Sequence, residues 1–430
     1  MALKTTEAVT KITEGAFEKE IKRLYCCGEK EAEQRGARLV RAVGEFEGLY
    51  GAGREIAIFS APGRTEVGGN HTDHQGGRVL AAAVNLDVIA VVSPTDDGTV
   101  RVKSAGFPED VVKLDTFEPV VAERGHSASL LRGVCAGFAA LGYKIGGFSA
   151  YTTSEVFPGS GLSSSAAFEV LLGTIVNHLY CGGKVEPLQV AMIGRKAENA
   201  FFGKPCGLMD QAASAVGGFT MLDFRDSEKP VAQQIPFDFA KSGFRLCMIN
   251  TRGNHSDLTP DYAAIPQEMR EVAGYFGKDV LSEVNEEDFY TDLGNLRSAV
   301  GDRAALRAIH FFEENARVLK EADALRKNDF GAFRRLVLES GQSSFMYLQN
   351  VYSPCRIREQ GVALALALCD RLLGNRGGAW RVHGGGFAGT VQTYVPADYL
   401  TEFTRRMEAV FGEGACLPLS VRPDGGVRVL

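Results

Sequence analysis

The chain has 430 residues and a formal net charge of −6, with 45% hydrophobic and 23% charged residues. This length is more than one typical core holds and predicts two domains or two tightly joined lobes, while the composition excludes extensive disorder. The negative balance, without a basic patch interleaved with aromatics, excludes broad nucleic-acid binding. The nine cysteines are scattered and form no C-x-x-C pair, which fits free thiols in a reducing compartment better than a disulfide frame or a zinc site. Residues Met1 to Glu7 lack an apolar signal core, and the longest apolar run, Gly361 to Cys369, is too short to cross a bilayer. A cytoplasmic protein without a membrane segment is expected.

Val9, Ile12, Phe17, Ile21 and Leu24 recur at helical spacing, as do Leu39, Val40, Val43 and Phe46, so residues up to about Tyr50 read as helices. Gly51 and Gly53 close that pattern before a short strand, Glu55 to Ser60. From Ala61 to Gly77 the chain places five glycines, two histidines, an arginine and an aspartate in 17 positions, ahead of an apolar run from Val79 to Val92. A polar loop between buried strands must satisfy its own backbone or hold a ligand, and such mixed donors and acceptors suit a hydroxyl-rich one. His71, Asp73 and His74 have no third cluster to complete a metal site.

Strands are predicted at Thr99 to Val102 and Ser149 to Thr152, with a helix from Ala128 to Leu141 between them. Then Phe157-Pro158-Gly159-Ser160-Gly161-Leu162-Ser163-Ser164-Ser165-Ala166-Ala167 forms a small-residue loop that feeds a helix reaching about Tyr180. The first N–H groups of a helix lack intrahelical partners and lie at the positive end of its dipole, so this junction can seat a phosphate. Gly159 and Gly161 let backbone approach an anion, and Ser163 to Ser165 add hydroxyls; a serine N-cap alone would explain one of the three.

A helix from Leu188 to Phe202 carries Glu198 among Ala191, Met192, Ala197 and Ala200. A carboxylate buried there needs an ion pair or a cation, which makes Glu198 a candidate Mg²⁺ partner, a surface salt bridge being the alternative. Asp210 falls at the start of an Ala-rich helix, where an aspartate on its own reads as an N-cap. Strands at Phe219 to Phe224 and Phe244 to Asn250 bracket the polar stretch Arg225 to Pro230, the expected boundary between lobes, and a long helical region follows from about Ala263 to Leu373. Gly384, Gly386 and Gly389 match G-x-G-x-x-G in form, but Thr390 to Val395 alternates as a strand where a dinucleotide fold requires a helix.

Taken together these motifs resemble the GHMP kinase superfamily and, within it, the galactokinases. Gly63-Arg64 through Gly77 is similar to the galactokinase signature, roughly GRVNLIGEHTDYNGG, and Pro158 to Ala167 to the family's P-x-G-x-G-L-S-S-S-A-A phosphate loop. Gly384 to Gly389 resembles its C-terminal glycine motif, Gly207 to Gln211 its G-I-M-D-Q, and Pro423 to Arg428 its D-G-A-R ending. The likeness runs from about Phe46 to Leu430. It implies a two-lobed α+β fold, with an α/β N-terminal lobe at 46–230, an α+β C-terminal lobe at 231–430, the active site in the cleft between them, and residues 1–45 as a helical extension.

The resemblance implies an ATP-dependent sugar 1-kinase that phosphorylates the anomeric hydroxyl of galactose or a close relative. Carried over by position, Asp210 would contact that hydroxyl as general base or orienting anion, and Arg64 would stabilise charge beside it. Asn70, His71, Asp73, Gly207, Asp210 and Tyr262 would line the sugar pocket. Pro158, Gly159, Ser160, Gly161, Leu162, Ser163, Ser164 and Ser165 would cradle ATP, and Ser165 and Glu198 would hold Mg²⁺. The expected partners are a small sugar, ATP and Mg²⁺, for a monomer that binds neither nucleic acid nor membrane.

One departure concerns the sugar. The family has Glu at the position of Asn70, where it is implied to grip the sugar near its C6 hydroxyl. Asn keeps a hydrogen-bonding tip but removes a negative charge, so a C6 carboxylate would no longer be repelled there. His71 to Gly77 also resembles the H-x-D-H-Q-G-G of plant galacturonate kinases. A galacturonate kinase is thus one alternative and a non-catalytic sugar and ATP sensor another, with the intact Ser163 to Ala167 and Asp210 favouring an enzyme. Mevalonate or homoserine kinases fit less well, since His71-Thr72-Asp73 points to a sugar.

Overall fold

The computed structural model describes residues 3–157, 161–226, 228–253 and 258–430. Along the chain run β1 (Leu3–Lys4), β2 (Glu55–Gly68), β3 (Arg78–Thr95), β4 (Thr99–Ser104), β5 (Glu109–Lys113), β6 (Gly147–Ser154), β7 (Phe219–Asp223) and β8 (Val231–Ile235), all in one sheet. A second sheet takes β9 (Phe244–Asn250), β10 (Ala379–Val382), β11 (Thr390–Pro396) and β12 (Cys416–Leu419), in the order β10-β11-β9-β12. The last strand, β13 (Val427–Arg428), returns to pair with β2. Helices fill the remaining segments, giving two sheets in an α+β arrangement. Among the described residues no helix is long and apolar enough to cross a membrane.

Successive side chains of a strand point to opposite faces, and β2 and β3 are apolar on both. Ala57, Phe59 and Ala61 with Val88, Ala90 and Val92 join the large core shared with the helices Ser127–Ala140, Ser164–Tyr180 and Met209–Val216. Ile56, Ile58, Ile89 and Val91 face the other way. The helices Thr5–Thr13, Glu18–Tyr25 and Glu29–Tyr50 cover that second face with Ala8, Ile21, Leu24, Leu39, Val43 and Phe46. Each such Leu, Val or Phe contributes about 1.5–3 kcal/mol by leaving water. The N-terminal extension is therefore the rear wall of the sheet.

A buried polar seam fastens this wall. Asp87 of β3 receives Tyr25 Oη at 2.6 Å and Arg38 Nη1 at 2.5 Å from the extension, Ser60 Oγ from β2, and Arg422 Nη1 at 3.3 Å from the C-terminal segment. Burial opposes its ionisation, but Arg38 and Arg422 more than offset this and hold its carboxyl below the usual aspartate range.

Two expectations need correction. The strand expected at Glu55 to Ser60 runs on to Gly68, because register irregularities between Pro62 and Arg64 and between Glu66 and Gly68 absorb the proline and glycines that suggested a loop. The polar loop is confined to 69–77, and Gly69 opens it at φ 85°, where a Cβ would lie 2.4 Å from Arg78 O. The first sheet also continues beyond Arg225 to Pro230, since Val231–Ile235 pairs antiparallel with β7. Beneath the loop lies the Asp302–Arg326 helix, where Glu314 Oε1 accepts from Gly69 N at 3.0 Å and His310 Nε2 bonds Asn70 O at 2.9 Å.

Candidate active site

Alternation along β2 sets Arg64 and Glu66 on one face. Both open onto a crevice of about 370 Å³. From the signature loop His71, Asp73 and His74 reach it, and from the serine-rich junction Ser163 and Ser165. Glu198, Lys204, Gly207, Asp210 and Gln211 form another wall, and Gly384 and Gly385, between β10 and β11, supply the side from the second sheet.

Arg64 is the hinge of this arrangement. Its Nε donates to Asp210 Oδ1 at 2.6 Å and its Nη2 to Oδ2 at 2.7 Å, the two-pronged geometry that a planar guanidinium offers a carboxylate. Its Nη1 donates to Gly161 O at 2.5 Å and its backbone N to Leu162 O at 3.0 Å, so the same residue also holds the end of the phosphate loop. Burial opposes charge on Asp210, but Arg64, aided by a hydrogen bond from Ser163, keeps its carboxyl below the usual range. The serine-bearing junction, the acid and the arginine expected to converge do share one crevice.

The Ser164–Tyr180 helix starts immediately after Ser163, which turns through φ 57°, and its first N–H groups lie beside the crevice. Leu162 is buried, Gly161 lies against the His383 ring, and Ser164 opens the helix. Pro158, Gly159 and Ser160, also expected to cradle phosphate, lie outside the described residues.

Glu198 lies in a π-helical turn, Ala197–Phe202, a form frequent at functional sites. It is 3% exposed, meets Lys204 Nζ at 2.9 Å and accepts from Gln211 Nε2 at 3.1 Å. Gln211 Nε2 also donates to Glu169 Oε2 at 2.9 Å, while Glu169 Oε1 is buried without a partner. Burial and the neighbouring Glu198 push the Glu169 carboxyl up to about 9. Ser165 and Glu198 are thus hard oxygen donors on one crevice, with the unpartnered carboxyl oxygen of Glu169 buried behind Gln211, a donor set that fits Mg²⁺. Among the described residues no three His, Cys, Asp or Glu form a metal cluster.

In the signature loop, Gly385 O can only accept, so His71 Nε2, at 3.2 Å, carries the hydrogen and Nδ1 accepts from His74 Nε2 at 3.3 Å. Burial lowers both rings to about 4, so they are neutral. Asp73 faces Gly207, where a Cβ would come within 3.1 Å of its Oδ2.

Two residues expected in the sugar pocket are placed differently. Asn70 is fully buried, and its Nδ2 donates to Glu66 Oε1 and to Gly384 O, both at 2.8 Å, while its Oδ1 accepts from Asn350 Nδ2 at 2.8 Å. Its polar atoms are spent on protein, so it does not line the crevice. Tyr262 is one layer back, its ring against Gly385 and its hydroxyl donating to Gly386 O at 3.0 Å. Glu66, Lys204 and Gln211 also line the crevice, beyond the residues expected there. The alternation that pairs Glu66 with Arg64 was the available signal for the first.

Residues 44–94 match the galactokinase galactose-binding signature, and residues 129–218 match the GHMP kinases N terminal domain. The galactokinase of Streptomyces coelicolor is 33% identical over 404 residues, which cover 92% of this chain and 100% of that protein. The galactokinase of Homo sapiens is 33% identical over 397 residues, covering 90% and 95%. Among solved structures, Lactococcus lactis galactokinase complexed with galactose matches with a TM-score of 0.73 at 24% identity, over 91% of this chain and 100% of that one. A mevalonate kinase matches at 0.60 and 13% identity, over 85% and 99%.

Proposed function

The chain belongs to the galactokinase family of GHMP kinases, and from that premise we propose that it transfers the γ-phosphate of ATP to the anomeric hydroxyl of galactose, releasing ADP and galactose 1-phosphate. The observation that carries this reading is the Arg64–Asp210 pair, set between the serine-bearing start of a helix and the His71–Asp73 loop. Phosphoryl transfer asks little covalent chemistry of a protein; it needs a hydroxyl placed in line with the γ-phosphate and developing charge neutralised.

Each need has a candidate on the crevice. Asp210, ionised and held low by Arg64, is a weak base, so its part is to accept the anomeric O–H and fix its direction. Arg64 offsets charge beside the transferred group. The first N–H groups of the Ser164–Tyr180 helix and the hydroxyl of Ser165 receive the phosphates, while the Ser163 hydroxyl stays on Asp210. Ser165 and Glu198 would hold Mg²⁺, which prefers few protein ligands together with phosphate oxygens and water. When bound, the cation neutralises charge on the phosphate oxygens. Galacturonate is not the substrate proposed: Glu66 keeps a carboxylate on the crevice, so the exchange at Asn70 has not cleared it of negative charge.

An ADP-release assay over a sugar panel, run with wild type and Asp210→Asn, tests the proposal. Galactose-dependent release that collapses in the variant is expected. Release independent of sugar, or unchanged in Asp210→Asn, overturns it.

A further inference from the structure

Resting on the kinase reading above, we propose that Glu66, held by Asn70 and Arg381, is the carboxylate that selects the sugar. Its Oε1 accepts from Asn70 Nδ2 at 2.8 Å and from Arg381 Nη2 at 3.0 Å. Oε2 has no protein donor among the described residues, although Glu66 is only 5% exposed and lines the crevice. A nearly buried carboxylate with one oxygen saturated and the other open is built to accept one more hydrogen bond.

The supports of Glu66 leave it little freedom. Arg381 is fully buried and also donates to Val67 O and, at 3.1 Å, to Val382 O. Asn70 is pinned by Gly384 O and Asn350. Glu66 shares the face of Arg64, which holds Asp210, so its open oxygen looks onto the crevice where the acceptor sugar is proposed to bind. The signature quoted earlier has asparagine at the position of Glu66 and glutamate at that of Asn70. This chain carries the pair exchanged, and the hydrogen bond between them keeps carboxylate and amide as neighbours. The ligand selected is a neutral sugar bearing a hydroxyl toward Oε2; a carboxylate at that place would meet like charge.

Glu66→Gln, assayed at pH 8, above the value of about 7 to which burial raises Glu66, tests this. A hydroxyl bonded to a charged acceptor predicts a rise of roughly 10- to 100-fold in KM for galactose, with KM for ATP unchanged and kcat much less affected. The ratio of kcat/KM for galacturonate to that for galactose should rise about tenfold or more. A single deoxygalactose, lacking the hydroxyl that Oε2 takes, should lose little further in the variant. Galactose KM and sugar ratio both at wild-type values would overturn the assignment. If Glu66→Gln does not fold, Glu66→Asp, which withdraws the carboxylate by one methylene, carries the same comparison. Wild type without phosphoryl transfer would instead overturn the kinase reading; galactose binding to wild type and variant by calorimetry then reads the Glu66 contact directly, and equal binding, or none to either, overturns the assignment.

Discussion

Arg64 and Asp210 join strand β2 to the first turn of the Met209–Val216 helix through two hydrogen bonds of 2.6 and 2.7 Å, although 146 positions separate them in the chain. The pair sets charge and geometry on the crevice at once. Asp210→Asn keeps the shape and removes the charge, and kcat should fall by about 10²–10⁴-fold with KM for galactose changed only a few-fold. Arg64→Lys should not restore function, because a point charge cannot reproduce the planar fork; a fall in kcat of about 10²-fold is expected. Steady-state kinetics on both variants check this, and wild-type kcat in either would remove that residue from the chemistry.

Glu198, itself nearly buried, meets the exposed Lys204 and the buried Gln211. Glu198→Gln should raise the Mg²⁺ concentration needed for half-maximal activity by about tenfold or more, with partial recovery at high Mg²⁺. A Mg²⁺ titration at saturating ATP and galactose measures it, and an unchanged midpoint argues that Glu198 serves only its ion pair.

Asp87 bears on stability alone. Asp87→Asn leaves Arg38 and Arg422 buried without their counter-charge and should lower unfolding free energy by about 3–5 kcal/mol, read by chemical denaturation. Its folded carboxyl titrates below its unfolded value, so its contribution is complete above about pH 4 and is lost as pH falls through the lower folded value. The variant's stability should accordingly fall less on acidification than that of wild type.

His74 is neutral because burial lowers its ring to about 4. An unfolded histidine titrates near 6.5, so this contribution is whole above about pH 6.5 and drains away as pH falls toward the folded value. Relative to His74→Gln, wild type should lose about 1–3 kcal/mol between pH 7 and pH 4. Denaturation curves across that range decide; parallel curves for the two proteins would mean that the folded ring takes up its proton as readily as the unfolded one.

Much of the site was legible because its parts are local. The Gly161 to Ala167 stretch announces a helix start wherever the rest of the chain goes, and Arg64, Asp73 and Asp210 each stand in a short stretch resembling a family motif. The relation between Glu66 and Asn70 was not, since the order of residues does not show that the Asn70 amide closes on a carboxylate four positions earlier. Tyr262 was misplaced for a similar reason: motif position carries no information about depth, and Gly385 intervenes between the ring and the crevice. The reach of β2 to Gly68 was obscured by Pro62 and the glycines, which pass for a loop until the register shifts that accommodate them are seen.

The helical rear wall lies almost wholly ahead of the motifs, yet Ile56, Ile58, Ile89 and Val91 depend on it for cover. A shortened chain that started at the first recognisable signature would present an oily, sticky back to solvent, apt to clump before it ever met a sugar. The ends by which such an enzyme is recognised and the ends by which it stays dispersed are different places on the polypeptide.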